Sequence, residues 1–213
     1  MEATKETMHE SMARRKIVPV VKLNRADDAL PLMEALVKGG LPVAEITFRT
    51  EAAEASIRRI AGAFPDVLLG AGTVTAVEQA ERAEAAGARY IVTPGFSRPV
   101  TEHCVRRGLP IYPGVCTPSE LMWLLEYGLA VAKFFPAAQY GGLATIKALA
   151  APFPQMRFIP TGGVSEANLA DYLAFPKVLA CGGSWMVTEA LISAGRFDEI
   201  EAMTSRAVKL ASG

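Results

Sequence analysis

A lysine stands in the middle of an apolar run, Ala-Val-Ala-Lys-Phe-Phe-Pro at residues 130–136. The run reads as a short buried strand. Pro136 ends it, because proline has no N–H for a strand ladder. Side chains alternate along a strand, so Val131, Lys133 and Phe135 share one face and Ala132 and Phe134 the other. A lysine is seldom fully buried without a partner or a task. Among apolar groups its ammonium form loses hydration, and the neutral amine is a nucleophile toward carbonyls. The competing use of such a lysine is packing, with the stem on apolar surface and the head in water.

A second stretch weighs against packing alone. Val-Ala-Glu-Ile-Thr-Phe-Arg-Thr at residues 43–50 also alternates. Val43, Glu45, Thr47 and Arg49 share one face, and Ala44, Ile46 and Phe48 form an apolar one. In a half-buried strand the polar face meets water. In a closed parallel barrel wrapped by helices, the same face points inward and carries a Glu and an Arg toward the site. Further along stand two double-glycine turns, Gly162-Gly163 after Thr161 and Gly182-Gly183 before Ser184. Turns after the last two strands of such a barrel suit a phosphate, held by backbone N–H groups and by the N-termini of the following helices. Ser165 and Ser184 would add hydroxyl donors. A strand-end turn can also need glycine for itself, but two of them in these places favour the anion. Gly70-Ala71-Gly72 lacks the third glycine of a dinucleotide fingerprint and carries little alone. Thr73 follows it, close to where Arg49 should reach.

These groups need a frame. Short apolar strands are predicted at residues 17–23, 43–48, 67–71, 90–93, 110–113, 131–135, 158–161 and 178–181, with Ala-, Leu- and Glu-rich helices between them. Thr75 to Glu78 and Thr117 to Glu120 fit the capping box, and Pro118 suits a first helical position. Gly39-Gly40, Gly87, Gly108 and Gly128 each follow a helical run, as helix-ending glycines do. A polar helix precedes the first strand, and a last helix covers residues 197–210. Eight strands in regular alternation predict a (β/α)8 TIM barrel, at roughly 26 residues per unit. The expected organisation is one α/β domain over residues 1–213: an N-terminal helix at 1–15, then the barrel and C-terminal helix at 17–213. The alternative is an open doubly wound sheet, which eight units without a break disfavour.

Composition excludes several classes. The 213 residues are 51% hydrophobic and 21% charged, enough for a sizeable core. Lys plus Arg equals Asp plus Glu at 22 each, so no basic excess points to nucleic acid or an anionic membrane surface. No apolar run has membrane-spanning length, and residues 1–16 lack the apolar stretch of a signal peptide. Cys104, Cys116 and Cys181 have no metal-like spacing and read as reduced thiols of a cytoplasmic protein. The two histidines, His9 and His103, fall in expected helices away from the strand ends. That scarcity argues against a Ser-His-Asp hydrolase and a His-rich metal site.

Together the motifs resemble those of the 2-keto-3-deoxy-6-phosphogluconate (KDPG) aldolase family, class I aldolases of the Entner–Doudoroff pathway. The matching segments are EITFRT around Glu45 and Arg49, GAGT ending at Thr73, TPG at 93–95, KFFPA from Lys133, PTGG from Pro160 and GGSW from Gly182. The likeness runs from about residue 17 to the final helix. It implies that Lys133 forms a Schiff base with the substrate ketone and that Glu45 is the general acid and base. Arg49 and Thr73 would hold the carboxylate, and Phe135 and Pro94 would shape the site. Gly162, Gly163, Gly183 and Ser184 would hold the phosphate, and Thr161 would contact the hydroxyl on the carbon being cleaved. It further implies no metal or other cofactor, pyruvate and a phosphorylated keto acid as small-molecule partners, a cytoplasmic homotrimer, and activity on 4-hydroxy-2-oxoglutarate. Threonine at 161 goes with the gluconate-type enzyme and valine with the galactonate-type relative. Cys116, after Gly114-Val115, is a local departure at a position where relatives vary, and it puts nothing catalytic in doubt. Two other readings share the glycine turns: a sugar-phosphate isomerase or epimerase, which needs no covalent lysine, and a sugar-phosphate binder without activity.

Overall fold

The computed structural model describes residues 2–212, with side chains from residue 8 onward. Among the described residues there are nine short strands: β1 (Ile17–Val21), β2 (Val43–Thr47), β3 (Leu68–Gly72), β4 (Tyr90–Val92), β5 (Ile111–Tyr112), β6 (Gly114–Val115), β7 (Val131–Phe134), β8 (Arg157–Pro160) and β9 (Cys181–Gly183). The helices are α1 (Glu2–Arg15), α2 (Ala29–Lys38), α3 (Ala53–Ala63), α4 (Val77–Ala86), α5 (Arg98–Arg107), α6 (Pro118–Glu126), α7 (Gly142–Ala150), α8 (Leu169–Leu173), α9 (Glu189–Ser193) and α10 (Phe197–Ser212).

The strand pairs are parallel throughout. One run has the order β5-β4-β3-β2-β1-β9 and the other β6-β7-β8. β5 and β6 are two pieces of one strand parted at Pro113, whose ring leaves no N–H for the ladder. Its carbonyl still serves, accepting from the Lys133 N–H at 2.9 Å. Two isolated bridges, Phe158 to Val178 and Thr161 to Gly182, join β8 to the last segment and close the ring. The chain is a single-domain (β/α)8 barrel, as its alternating pattern predicts.

The eighth strand departs from expectation. Residues 178–181 carry the apolar signal, but the ladder with β1 pairs Ile17 with Cys181, Val18 with Gly182 and Pro19 with Gly183. Val178 keeps one bridge only. Hydrophobicity marked where the segment is buried, whereas pairing extends into glycines that carry no hydrophobic signal. β3 likewise runs one residue later than expected and includes Gly72.

The helices pack by their apolar stripes. α2 buries Ala29, Leu32, Met33, Ala35 and Leu36, the spacing of one helical face. Thr117 and Glu120 form the expected capping box at α6, with Pro118 in its first turn. The one expected at Thr75 and Glu78 does not form. α4 starts at Val77, which places Gln79 rather than Glu78 at the third helical position, and the Gln79 side chain accepts from the Thr75 N–H at 2.7 Å. Gly87 and Gly108 end α4 and α5 in the left-handed conformation. At the N-terminal end of the barrel, Met12 of α1 is buried beside Val18 and Glu45.

Inside the barrel, glycines decide the shape. A methyl group on Gly70 would sit 2.2 Å from the Tyr90 ring. One on Gly72 would sit 2.0 Å from Glu45 Oε1. β3 thus gives up two inward side chains, and a tyrosine and a carboxylate occupy the space.

Candidate active site

Lys133 lies on β7, in register with Gly114 on one side and Ile159 on the other. Gly114 lets the Pro94–Gly95 backbone pass close by, since a methyl group there would lie 2.3 Å from the Pro94 carbonyl oxygen. Glu45 reaches Lys133 from β2. Lys133 Nζ is 3.4 Å from Glu45 Oε1, and both side chains are about 5% exposed. A buried charge is tolerated when it is paired, so the two hold each other in place. The Lys133 ammonium also lies 5.1 Å from the centroid of the Phe135 ring, within cation–π range.

Above this pair opens a cleft of about 230 Å³. It lies where strand ends meet the loops, the face on which this fold carries its chemistry. All nine residues expected to bind substrate line it: Arg49, Thr73, Pro94, Phe135, Thr161, Gly162, Gly163, Gly183 and Ser184. Lys133 forms part of its floor. Glu45 does not line the cleft. It lines a cavity of about 10 Å³ directly below, together with Lys133, Thr161, Tyr90 and Tyr112. Lys133 and Thr161 border both spaces.

Local structure sets each wall. Thr47 is buried at the end of β2. Its hydroxyl donates to the Val21 carbonyl at 2.9 Å and accepts from Arg49 Nε at 3.1 Å. The exposed arginine is thereby anchored at its base, and its terminal nitrogens are left for a planar anion. Thr73 has φ 56°, an uncommon conformation for a β-branched residue and a form of backbone strain that gathers at functional positions. Pro94 is held by its neighbour: the Thr93 hydroxyl donates to the Gly95 carbonyl at 2.7 Å and accepts from the Gly114 N–H at 3.3 Å.

The opposite wall is the pair of glycine turns. Gly162 and Gly163 have φ 95° and 79°, which only glycine adopts readily. The Ala137 and Ala138 N–H groups donate to the Thr161 and Gly162 carbonyls at 2.8 and 3.0 Å, tying this turn to the end of β7. Gly182 is tight against Thr161, whose Oγ1 would lie 2.3 Å from a methyl group there. Two expectations need correction. Ser165 does not line the cleft; it sits in a local turn in which its backbone N–H donates to Asn168 Oδ1 at 2.9 Å. α8 and α9 begin several residues beyond the turns, so turn backbone rather than helix N-termini faces the cleft.

The sequence reading missed some of the lining, namely Val20 and Val164, and it gave Thr47 no role. Thr47 was findable, since it shares the inward face with Glu45 and Arg49. Val20 becomes visible only from its register with Glu45.

Neither histidine lines the cleft. His103 is buried in α5, with Nδ1 4.0 Å from Glu81 Oε1, and His9 packs at a tilt on Tyr112, ring centroids 5.7 Å apart. Cys104 and Cys181 are buried free thiols, each pushed up to about 12 by burial. Cys116 is half-buried. Among the described residues, no group of three or more His, Cys, Asp or Glu side chains is placed to hold a metal ion. No described helix is long and apolar enough to cross a membrane.

Comparison with known proteins agrees with this geometry. A family model described as KDPG and KHG aldolase matches residues 8–203. The 2-dehydro-3-deoxy-phosphogluconate aldolase of Treponema pallidum is 48% identical over 204 residues, covering 96% of this chain and 97% of that protein. The KHG/KDPG aldolase of Escherichia coli is 43% identical over 193 residues, 91% of each chain. Among solved structures, KDPG aldolase from Legionella pneumophila, with pyruvate captured at low pH as a covalent carbinolamine intermediate, superposes with a TM-score of 0.91. It is 39% identical and covers 94% of this chain and 97% of that one. With a buried lysine–carboxylate pair beneath a cleft of this composition, and likeness over nearly the whole length, the chain belongs to the KDPG and KHG aldolase family.

Proposed function

We propose that the chain is a class I aldolase that reversibly cleaves 2-keto-3-deoxy-6-phosphogluconate to pyruvate and glyceraldehyde 3-phosphate through an imine at Lys133. It would also act on 4-hydroxy-2-oxoglutarate. The observation that carries this reading is the 3.4 Å approach of Lys133 Nζ to Glu45 Oε1, buried at the base of the cleft. An isomerase or a mere binder would use the glycine turns but has no need of such a pair.

The chemistry follows from the placement. The Lys133 amine adds to the C2 ketone, and the carbinolamine loses water to give an iminium. Arg49, anchored on Thr47, and Thr73 hold the carboxylate. Glu45 takes the proton of the C4 hydroxyl, directly or through one water. The C3–C4 bonding pair moves into the iminium, so an enamine forms as the C4 aldehyde departs. Glu45 then returns a proton to C3, and water releases pyruvate from the lysine. Acid–base help of this kind is typically worth about 10²–10⁴-fold in rate. Phe135 and Pro94 shape the floor and side of the cleft, and Thr161 meets the C4 oxygen. The N–H-rich turns at Gly162, Gly163 and Gly183, with Ser184, take the phosphate. Kinship with the family supports a cytoplasmic homotrimer working without a metal or other cofactor.

The test is covalent trapping. Borohydride added with pyruvate should attach one pyruvyl group per chain, at Lys133. An unchanged mass, or an adduct on another lysine, overturns the reading.

A further inference from the structure

Tyr112 stands on β5, in register with Val92 of β4. Its side chain is buried, and its hydroxyl has no hydrogen-bond partner. Such a group is destabilising where it stands. The residue lines the small cavity beneath the cleft that Glu45 and Lys133 share, with Met12 and Ile159 closing it. Its neighbour Tyr90, in edge contact with ring centroids 5.8 Å apart, spends its own O–H on the Ala44 carbonyl at 3.1 Å. Tyr112 therefore holds an uncommitted donor at the base of the barrel. Burial raises its phenol above the usual range, so the donor keeps its proton at any working pH.

The need for such a donor arises during turnover. In the resting pair the Lys133 ammonium faces Glu45. Once Nζ is bonded to the substrate carbon, its three N–H groups become one, and its position is set by the substrate. A buried carboxylate that loses a partner is costly unless another donor replaces it. The cavity has about 10 Å³, near the room one water needs when polar groups surround it.

We propose that Tyr112 is a positioning residue for Glu45, its O–H donating to the carboxylate directly or through one water once Lys133 is committed to the imine. This rests on the roles of Lys133 and Glu45 proposed above. The other polar groups lining the cavity with the carboxylate are Lys133 from β7, Tyr90 from β4 and Thr161 just after β8; the charged Arg49 lies in the cleft above. Arg15 of α1 acts on Tyr90, and His9 of α1 packs on the Tyr112 ring. A carboxylate deprived of a donor takes up its proton at higher pH.

The experiment compares full-length wild type, Tyr112→Phe and Tyr90→Phe. Each is trapped with pyruvate and borohydride, assayed for exchange of the pyruvate methyl protons in deuterated water across pH, and melted without ligand. Tyr112→Phe should trap pyruvate at Lys133 like wild type. Its exchange should slow about tenfold at saturating pyruvate with KM unchanged, and the acid limb should move about one pH unit upward. Its melting temperature should not fall, since the deleted hydroxyl had no partner. Tyr90→Phe should lower the melting temperature and leave the acid limb in place. The proposal is overturned if Tyr112→Phe keeps the wild-type exchange profile, if it slows only together with a loss of stability, or if Tyr90→Phe moves the limb equally. Absence of a pyruvyl adduct in wild type would instead overturn the aldolase reading itself.

Discussion

The Glu45 carboxylate occupies space that a side chain at position 72 would fill: a methyl group on Gly72 would lie 2.0 Å from Oε1 and 2.6 Å from the carboxyl carbon. β2 and β3 are paired with Thr47 opposite Gly72, so the conflict cannot be relieved by sliding one strand along the other. The carboxylate would have to swing off its line to Lys133. Gly72→Ala should therefore behave as a weaker Glu45→Gln. Both should still trap pyruvate at Lys133. Exchange of the pyruvate methyl protons with deuterated water should fall on the order of 10²-fold or more in Glu45→Gln and by a smaller factor in Gly72→Ala. Wild-type exchange in Glu45→Gln would move the proton-transfer role to another group.

The two glycine turns make a second prediction. A phosphate on Gly162, Gly163, Gly183 and Ser184, as proposed, would be held by charge-assisted hydrogen bonds, each worth roughly 1.5–3 kcal/mol. Losing several should cost orders of magnitude in kcat/KM for the dephosphorylated substrate, while trapping of pyruvate, which has no phosphate, should be unaffected. Gly163→Ala should erode the same preference, because a methyl group there would lie 2.4 Å from Ala138 Cβ in a φ 79° conformation. Equal efficiency on both substrates would leave the turns a purely structural role.

Thr161 is buried, borders both the cleft and the cavity beneath it, and lies against Gly182. Its hydroxyl makes one long contact within the protein, 3.4 Å to the Ile159 carbonyl, and is otherwise open to a ligand oxygen. A preference for the gluconate over the galactonate epimer at C4 is expected, and Thr161→Val should weaken it with little change in pyruvate trapping. The ratio of kcat/KM for the two epimers decides this, and an unchanged ratio confines Thr161 to packing.

Thiol chemistry tests the burial of β9 and α5. Cys104 and Cys181 are buried and their thiols are raised to about 12, so at pH 8 they should react with a disulfide reagent far more slowly than half-buried Cys116. One fast thiol per chain is expected, and Cys116→Ser should abolish it. The same shifts fix a sign. In the unfolded chain these thiols ionise near 9, while the folded chain keeps them protonated. Their contribution to stability is complete below pH 9 and is lost as pH rises toward 12. Cys181→Ala should flatten the fall in melting temperature over that window. Rapid labelling of all three thiols in the native protein would contradict the burial of Cys104 and Cys181.

Much of this was written locally. The βα rhythm, the capping box at Thr117 and Glu120, and the helix-ending glycines at 87 and 108 depend on neighbours a few residues away, so a linear reading recovers them. The lysine-bearing strand and the inward-facing Glu45–Thr47–Arg49 series are also local, because alternation along a strand is a property of the strand alone. What tertiary structure decided are the meetings between strands. Glu45 and Lys133 are 88 residues apart and touch only because the sheet closes on itself. The Gly70 and Gly72 pair, empty of meaning as a motif, becomes the space that admits Tyr90 and Glu45 once β2, β3 and β4 lie side by side. Position in the barrel likewise separated Ser184, which lines the cleft, from Ser165, which does not. It also left the Tyr112 hydroxyl without a partner in the cavity beneath Lys133. Residue type and spacing state which chemistry is available; only the curvature that closes the ring states which groups share a few ångströms.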